Sequence, residues 1–356
     1  MISNYEEADD YRPLIYLDQN VIDDLRKGKL SFEPSVFSKN YRAVYSDETL
    51  REISRAEEGG GNATGYLDVL EMLEAYHLKL QLNAQFAPTG SAIIQYHTPS
   101  EAYNSFTQQR DLDYLIEANL LISQKIMGGL PGLSVDDIAE RMLEAFERNA
   151  RSLEESITNI EPLFPEVREE FPFLFESFGA MKAVSPEEYK DILKQLVDSL
   201  KANLKLNDKS QSALSRYRDE LRLSPKYLNN LEPSQVVEQI WQLVSRDERV
   251  TESGITMYQF FGVDATNPIY TERKNFISEQ VSSVYFHLNL AGYYPDKGLE
   301  QRRKFATSFS DMQHASLATH CNYLLSSDER LIKKAAAAYE FTGARTQVLP
   351  LKLSSE

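Results

Sequence analysis

The chain has 356 residues, 42% hydrophobic and 26% charged, with a formal net charge of −16 and a pI near 4.9. That length holds one large domain or two ordinary ones, and the acidity excludes broad, sequence-independent wrapping of nucleic acid, which needs a basic face. A single cysteine, Cys321, excludes an intramolecular disulfide and fits a reducing cytoplasm; no apolar run reaches bilayer length and the acidic start carries no signal-like region, so a soluble cytoplasmic protein is expected.

Residues 1–11 read as an acidic tail. Leu14-Ile15-Tyr16-Leu17 is a short apolar run of the kind that fills a buried parallel strand; it ends on Asp18, and a helix-like pattern begins near Val21. An acid at the carboxyl end of such a strand sits where open α/β sheets place their ligands. Ala43-Val44-Tyr45-Ser46 is a second such run, leading into a helix that Ser46 or Asp47 can cap. Glu48 and Glu52, four apart, share one face of that helix, and either could point back towards Asp18.

Glu57-Glu58-Gly59-Gly60-Gly61-Asn62 breaks the pattern. From Gly65 to about Asp296 the periodicity is helical: Tyr66 to Leu73, Leu112 to Met127, Ile138 to Ile160, Tyr189 to Leu204, Pro233 to Val244 and Phe276 to Ala291. Alternation returns after Gln301-Arg302-Arg303-Lys304. Ser310 to Ala318 reads as a capped helix opening at Asp311, Asn322 to Ser326 as a strand ending in Ser327-Asp328, Leu331 to Tyr339 as an Ala-rich helix, and Thr346 to Pro350 as a last strand. The expected organisation is one α/β domain from residues 1–60 and 300–356, with a large all-α insertion at 61–299.

Parallel strands bring their carboxyl ends to one edge, so Asp18, Glu52, Asp311 and Asp328 could converge across the long detour. Clustered carboxylates repel unless a cation neutralises them, and an all-oxygen set suits Mg²⁺ or Mn²⁺. Such an ion polarises phosphoryl groups and activates water, which points to metal-dependent phosphodiester hydrolysis.

The motifs then resemble those of PIN-domain ribonucleases. That family opens with a strand ending in Asp, as in Ile15-Tyr16-Leu17-Asp18-Gln19-Asn20-Val21-Ile22. A strand, a Ser and a helix bearing Glu before an aliphatic residue follow, as in Val44-Tyr45-Ser46-Asp47-Glu48-Thr49-Leu50-Arg51-Glu52-Ile53. Asp311 through Ala318 and Tyr323-Leu324-Leu325-Ser326-Ser327-Asp328 match the last two motifs. The resemblance covers roughly residues 12–56 and 304–350. It implies a PIN-like parallel-sheet α/β/α sandwich, metal ligation by Asp18, Glu52, Asp311 and Asp328, support from Ser326 or Ser327, and cleavage of RNA ahead of DNA. The family's Thr or Ser after the first Asp is Gln19 here, and its second and third acids are normally much closer in sequence.

Such enzymes often act as toxins or antiviral defence effectors, and the acidic chain with its insertion fits one held in check or targeted by a protein partner; a homo-oligomer is a further expectation. Competing functions are a catalytically inactive PIN-like scaffold whose helical body binds a partner, and a DNA nuclease of defence or repair. Asn20, Glu48 and His314 stand near the four acids in sequence, and Arg330, Lys333 and Lys334 with Arg302, Arg303 and Lys304 could form a phosphate-gripping rim. Plainer roles stand beside these. Asp18 and Asp328 could each cap the following helix, Glu52 could pair with Arg51 or Arg55, His314 could be a packed histidine, and Asp23, Asp24 and Asp47 read as solvated. No zinc pattern or phosphate-binding glycine loop occurs, and Cys321 reads as a small buried thiol.

Overall fold

The computed structural model describes residues 10–30, 33–83, 87–108, 120–125, 129–130, 132–160, 186–204, 213–265 and 273–351. Its spine is a six-stranded sheet in the order β4-β3-β2-β1-β5-β6. The chain lays down β1 (Leu14–Leu17), α1 (Gln19–Arg26), α2 (Pro34–Asn40), β2 (Arg42–Ser46), α3 (Asp47–Glu58) and α4 (Thr64–Met72). It continues with β3 (Tyr76–Leu82), β4 (Pro88–Gln95), α5 (Pro99–Gln108), α6 (Val135–Ile160), α7 (Pro186–Leu204) and α8 (Ala213–Glu220). α9 (Val236–Val244), α10 (Ile277–Ala291), α11 (Arg302–Leu317), β5 (Tyr323–Ser326), α12 (Glu329–Thr342) and β6 (Gln347–Pro350) follow; several short helical turns lie between.

All neighbours are parallel except the β3–β4 hairpin. From β1 the chain steps outward through β2 and β3, then returns to place β5 on the other side of β1, so the topological switch lies between β1 and β5. In parallel α/β sheets that is where a crevice opens at the strands' carboxyl ends.

Each central strand is buried on both faces, and alternate residues feed two separate cores. Tyr16, Val44, Leu78 and Leu324 face a core built with Ile240, Val284, Leu288 and Leu331 from α9, α10 and α12. Ile15, Leu17, Ala43, Tyr45 and Leu325 face the opposite core, filled by Val21, Leu50, Ile53 and Leu70 from α1, α3 and α4. Helices thus cover both faces of the sheet. Cys321 is free and buried, and burial pushes its thiol up to about 12.

The α/β class and the strands around Asp18, Ser46 and Ser326 agree with the sequence reading. The all-helical expectation for 61–299 does not hold throughout: β3 and β4 lie in it and extend the sheet. Tyr76-His77-Leu78-Lys79-Leu80 alternates with a period of two, a signal that the surrounding helical periodicity obscures. α9 and α10, also from that stretch, pack directly on the sheet core. α6 and α7 instead pair with one another through Ile138, Met142 and Leu193, a satellite core of their own. Most of the helix expected over Leu112 to Met127 lies outside the described residues, with 120–125 helical. Among the described residues no helix is long and apolar enough to cross a membrane.

Candidate functional site

Asp18 is the first residue beyond β1 and is only 1% exposed. Its backbone N–H donates to the Leu325 carbonyl of β5, which fixes its place at the switch point. Oδ2 accepts from Ser326 Oγ at 2.7 Å and from Asn20 Nδ2 at 3.1 Å. Oδ1 is buried with no hydrogen-bond partner. Asp18 precedes α1 but its side chain caps nothing, so the plain capping role fails. Burial, with the charge of Glu52, raises its pKa, while His314, Ser326 and Asn20 pull in the other direction.

Asp311 arrives from the other side. The structure corrects one expectation here: α11 begins at Arg302, so Asp311 lies inside the helix rather than opening it. Ser310 is therefore no cap; its hydroxyl donates to Glu48 Oε1 at 2.6 Å. Asp311 is 8% exposed, and burial followed by the charges of Asp18, Asp296 and Asp328 holds its pKa well above the carboxylate range, with Lys334 as partial relief. Four acids from distant parts of the chain thus share one locality. Tyr285 of α10 looks onto the same four: its hydroxyl is buried and unpartnered, and burial together with Asp311, Asp296, Asp328 and Asp18 drives it well above 10.

Asp328 caps α12, accepting from the backbone N–H groups of Arg330 at 2.7 Å and Leu331 at 3.0 Å. Both bonds fall on Oδ1, so the capping role and a place in the acid cluster coexist. Ser326 Oγ accepts from the Asp328 N–H at 3.0 Å while donating to Asp18, and so ties the two acids together. Ser327 instead donates to Asp24 at 3.1 Å, which removes it from the site. Asp24 is buried rather than solvated as its sequence setting implied.

The two glutamates of α3 separate cleanly. Glu48 is 4% exposed and is held by Arg51, Arg55 and Ser310; the arginine pairing expected for Glu52 belongs to it. Glu52 Oε2 meets His314 Nε2 at 2.8 Å, and its charge bears on Asp18. His314, fully buried, contacts Tyr16 OH through Nδ1 at 2.8 Å, and Tyr16 meets Ser46 Oγ at 2.6 Å. Burial alone would lower the His314 pKa, but Tyr16, Glu52 and Asp18 outweigh it and raise it well above 6.5. A charged imidazolium donates from both nitrogens, so His314 donates to Glu52 and to the Tyr16 oxygen, and Tyr16 donates onward to Ser46.

Sequence reasoning passed over Asp296 and Tyr285, and placed Lys334 on a phosphate-gripping basic rim. Lys334 is fully buried, with Nζ 2.7 Å from Asp296 Oδ2 and 4.6 Å from the Tyr285 ring centroid. The Ala-rich α12 leaves room for it against the core, and the chain after α10 carries Asp296 to meet it. Arg330 lies two residues after Asp328, its backbone N–H donating to the cap, whereas Lys304 is exposed on α11. Gln19, where the resemblance expects a small hydroxyl residue, keeps a buried, unpartnered Oε1.

Chemically, Asp18, Asp311 and Asp328 offer oxygen donors only, with one orphaned oxygen on Asp18 and mutual repulsion that a divalent cation would relieve. As the side chains stand, no group of three or more His, Cys, Asp or Glu among the described residues is drawn into a ready ligand set. The donors fit such an ion by type and by electrostatics. No family model matches the chain, and neither a curated protein nor a solved structure matches it.

Proposed function

We propose that the chain is a PIN-like, Mg²⁺- or Mn²⁺-dependent endonuclease, with RNA as its substrate ahead of DNA, acting as a toxin or defence effector. The observation that carries this reading is the meeting of Asp18, Asp311 and Asp328 at the sheet's switch point, with Asp18 and Asp311 buried and their ionised forms disfavoured. Natural chains retain such repulsion at functional sites more readily than in structural cores.

Asp18, Asp311 and Asp328 would hold the ion, with Glu52 contributing the oxygen that His314 leaves open. A bound divalent ion supplies Lewis-acid polarisation of a phosphoryl oxygen and a water acidic enough to attack at neutral pH. Ser326 keeps Asp18 turned inward and in register with Asp328. His314 fixes the Glu52 carboxylate, and the Tyr16–Ser46 chain behind it locks the imidazole's orientation. Tyr285 and Asp296 line the interior side, where Lys334 balances part of the negative charge.

That balance also favours a second reading. Lys334 and His314 already provide internal cations, as a catalytically inactive PIN-like scaffold would need. Incubating the purified chain with labelled RNA and DNA, with Mg²⁺ or Mn²⁺, beside Asp18→Asn and Asp311→Asn, separates the two. Metal-dependent cleavage abolished in both variants supports the enzyme, and the substrate arm decides RNA against DNA. No cleavage of either polymer by wild type refutes it and leaves the scaffold.

A further inference from the structure

Beside the acid cluster, between α3 and α11, lies a cavity of about 540 Å³ closed on its third side by helical residues 120–125. That volume lies within the range of small-molecule sites. In a chain of net charge −16, its charged lining is four arginines against two glutamates, Glu48 and Glu58. Glu48 is already taken up by α3 arginines and by Ser310. Arg55 spans from Glu48 to Ser310, the residue before Asp311. The Arg303 guanidinium is exposed and makes no ion pair among the described residues.

The remaining lining is of another kind. Half-buried Phe309 and Leu121 present apolar surface, and Gln124 presents an amide that is 2% exposed with no hydrogen-bond partner on Nε2. A buried amide donor left unpaired costs roughly 1–3 kcal/mol, and Gln124 is one of the residues that line the cavity. Guanidinium forks match phosphate oxygens, a flat apolar wall suits a base, and a buried amide suits a base edge or ribose hydroxyl.

We propose that this cavity is a nucleotide-binding site. Arg55 and Arg303 hold the phosphate, Phe309 and Leu121 cover the base, and Gln124 donates to it. The nucleotide is either a free mononucleotide or one unit of a single strand; only the second source rests on the nuclease reading. Arg55 would then set that strand's phosphate one residue from Asp311.

The test is calorimetric titration of the full chain in EDTA with the four ribonucleoside monophosphates, their nucleosides and inorganic phosphate, plus anisotropy with a labelled single-stranded RNA decamer. At least one monophosphate or the decamer is expected to bind, with nucleosides and phosphate at least tenfold weaker than the monophosphate that binds. Arg303→Glu and Gln124→Leu are each expected to weaken binding at least tenfold at unchanged Tm. Binding of monophosphate without decamer assigns a free-nucleotide site; binding of the decamer assigns a strand site. No binding of either at millimolar concentration, or equal binding by wild type and Arg303→Glu, overturns the proposal. EDTA separates the two readings: nucleotide binding without any cleavage activity sinks the nuclease alone, and metal-dependent cleavage without nucleotide binding sinks the cavity alone.

Discussion

Replacing Asp311 by Asn should make the protein more stable while removing its function. The amide is isosteric, so packing inside α11 is retained, and the substitution deletes a charge that burial, Asp18, Asp296 and Asp328 all oppose. Each unit of upward pKa displacement costs the ionised native state about 1.4 kcal/mol, and substitutions that relieve functional strain commonly return about 0.5–2 kcal/mol. At about 2–4 °C per kcal/mol for a domain of this size, Tm should rise by a few degrees at pH 8. The sign with pH follows from linkage. Because the native pKa is raised, wild-type stability is undiminished below the unfolded value of 3.8 and is lost as pH climbs to the raised native one. The advantage of the Asp311→Asn variant over the wild type should therefore vanish near pH 4 and reach its full size at alkaline pH. Thermal unfolding followed by circular dichroism at pH 4 and pH 8 reads both quantities. A lower Tm for the variant at pH 8, or an equal gain at both pH values, would refute the claim that Asp311 is a strained carboxylate.

Further outcomes follow from the same geometry. Lys334→Met leaves Asp296 without its buried cation beside three other acids and should cost about 3–5 kcal/mol, with Lys334→Met/Asp296→Asn recovering a large part of it in urea titrations. Ser326→Ala removes a donor to Asp18 and an acceptor from Asp328, and should cost about 1–3 kcal/mol and reduce any cleavage rate, measured by chemical denaturation beside the nuclease assay. The raised pKa of His314 gives stability that is complete below 6.5 and lost as pH rises through the raised native value. His314→Gln should accordingly flatten the alkaline side of the stability profile, and an unchanged slope would remove the His314–Glu52 pair from the account.

What the sequence made legible was local. Leu14–Leu17 and Tyr323–Ser326 carry apolar runs that only a buried strand explains, and each is followed within two residues by the acid that the fold uses. The seat of Asp311 within α11 was legible only in outline, because no capping signal marks Arg302 as the helix start and Ser310-Asp311 mimics one. β3 was hidden because its alternating residues follow within a few residues of the helical pattern of α4. Choosing between Glu48 and Glu52 needed the third dimension: both share a helix face, and the positions of Arg55 and His314 decide which is neutralised and which meets Asp18. The pairing of Asp296 with Lys334 gave no signal, since a lone Asp after Pro295 and a Lys in an Ala-rich helix read as surface residues until folding buries the lysine against the acid.

The central claim is that Asp18, Asp311 and Asp328 form a divalent-cation site, and a Mn²⁺ titration followed by electron paramagnetic resonance tests it most directly. Wild type is expected to remove free Mn²⁺ signal with saturable stoichiometry, Mg²⁺ to compete, and Asp18→Asn and Asp311→Asn to weaken uptake at least tenfold. Mn²⁺ uptake that is equal in wild type and both variants would contradict the account.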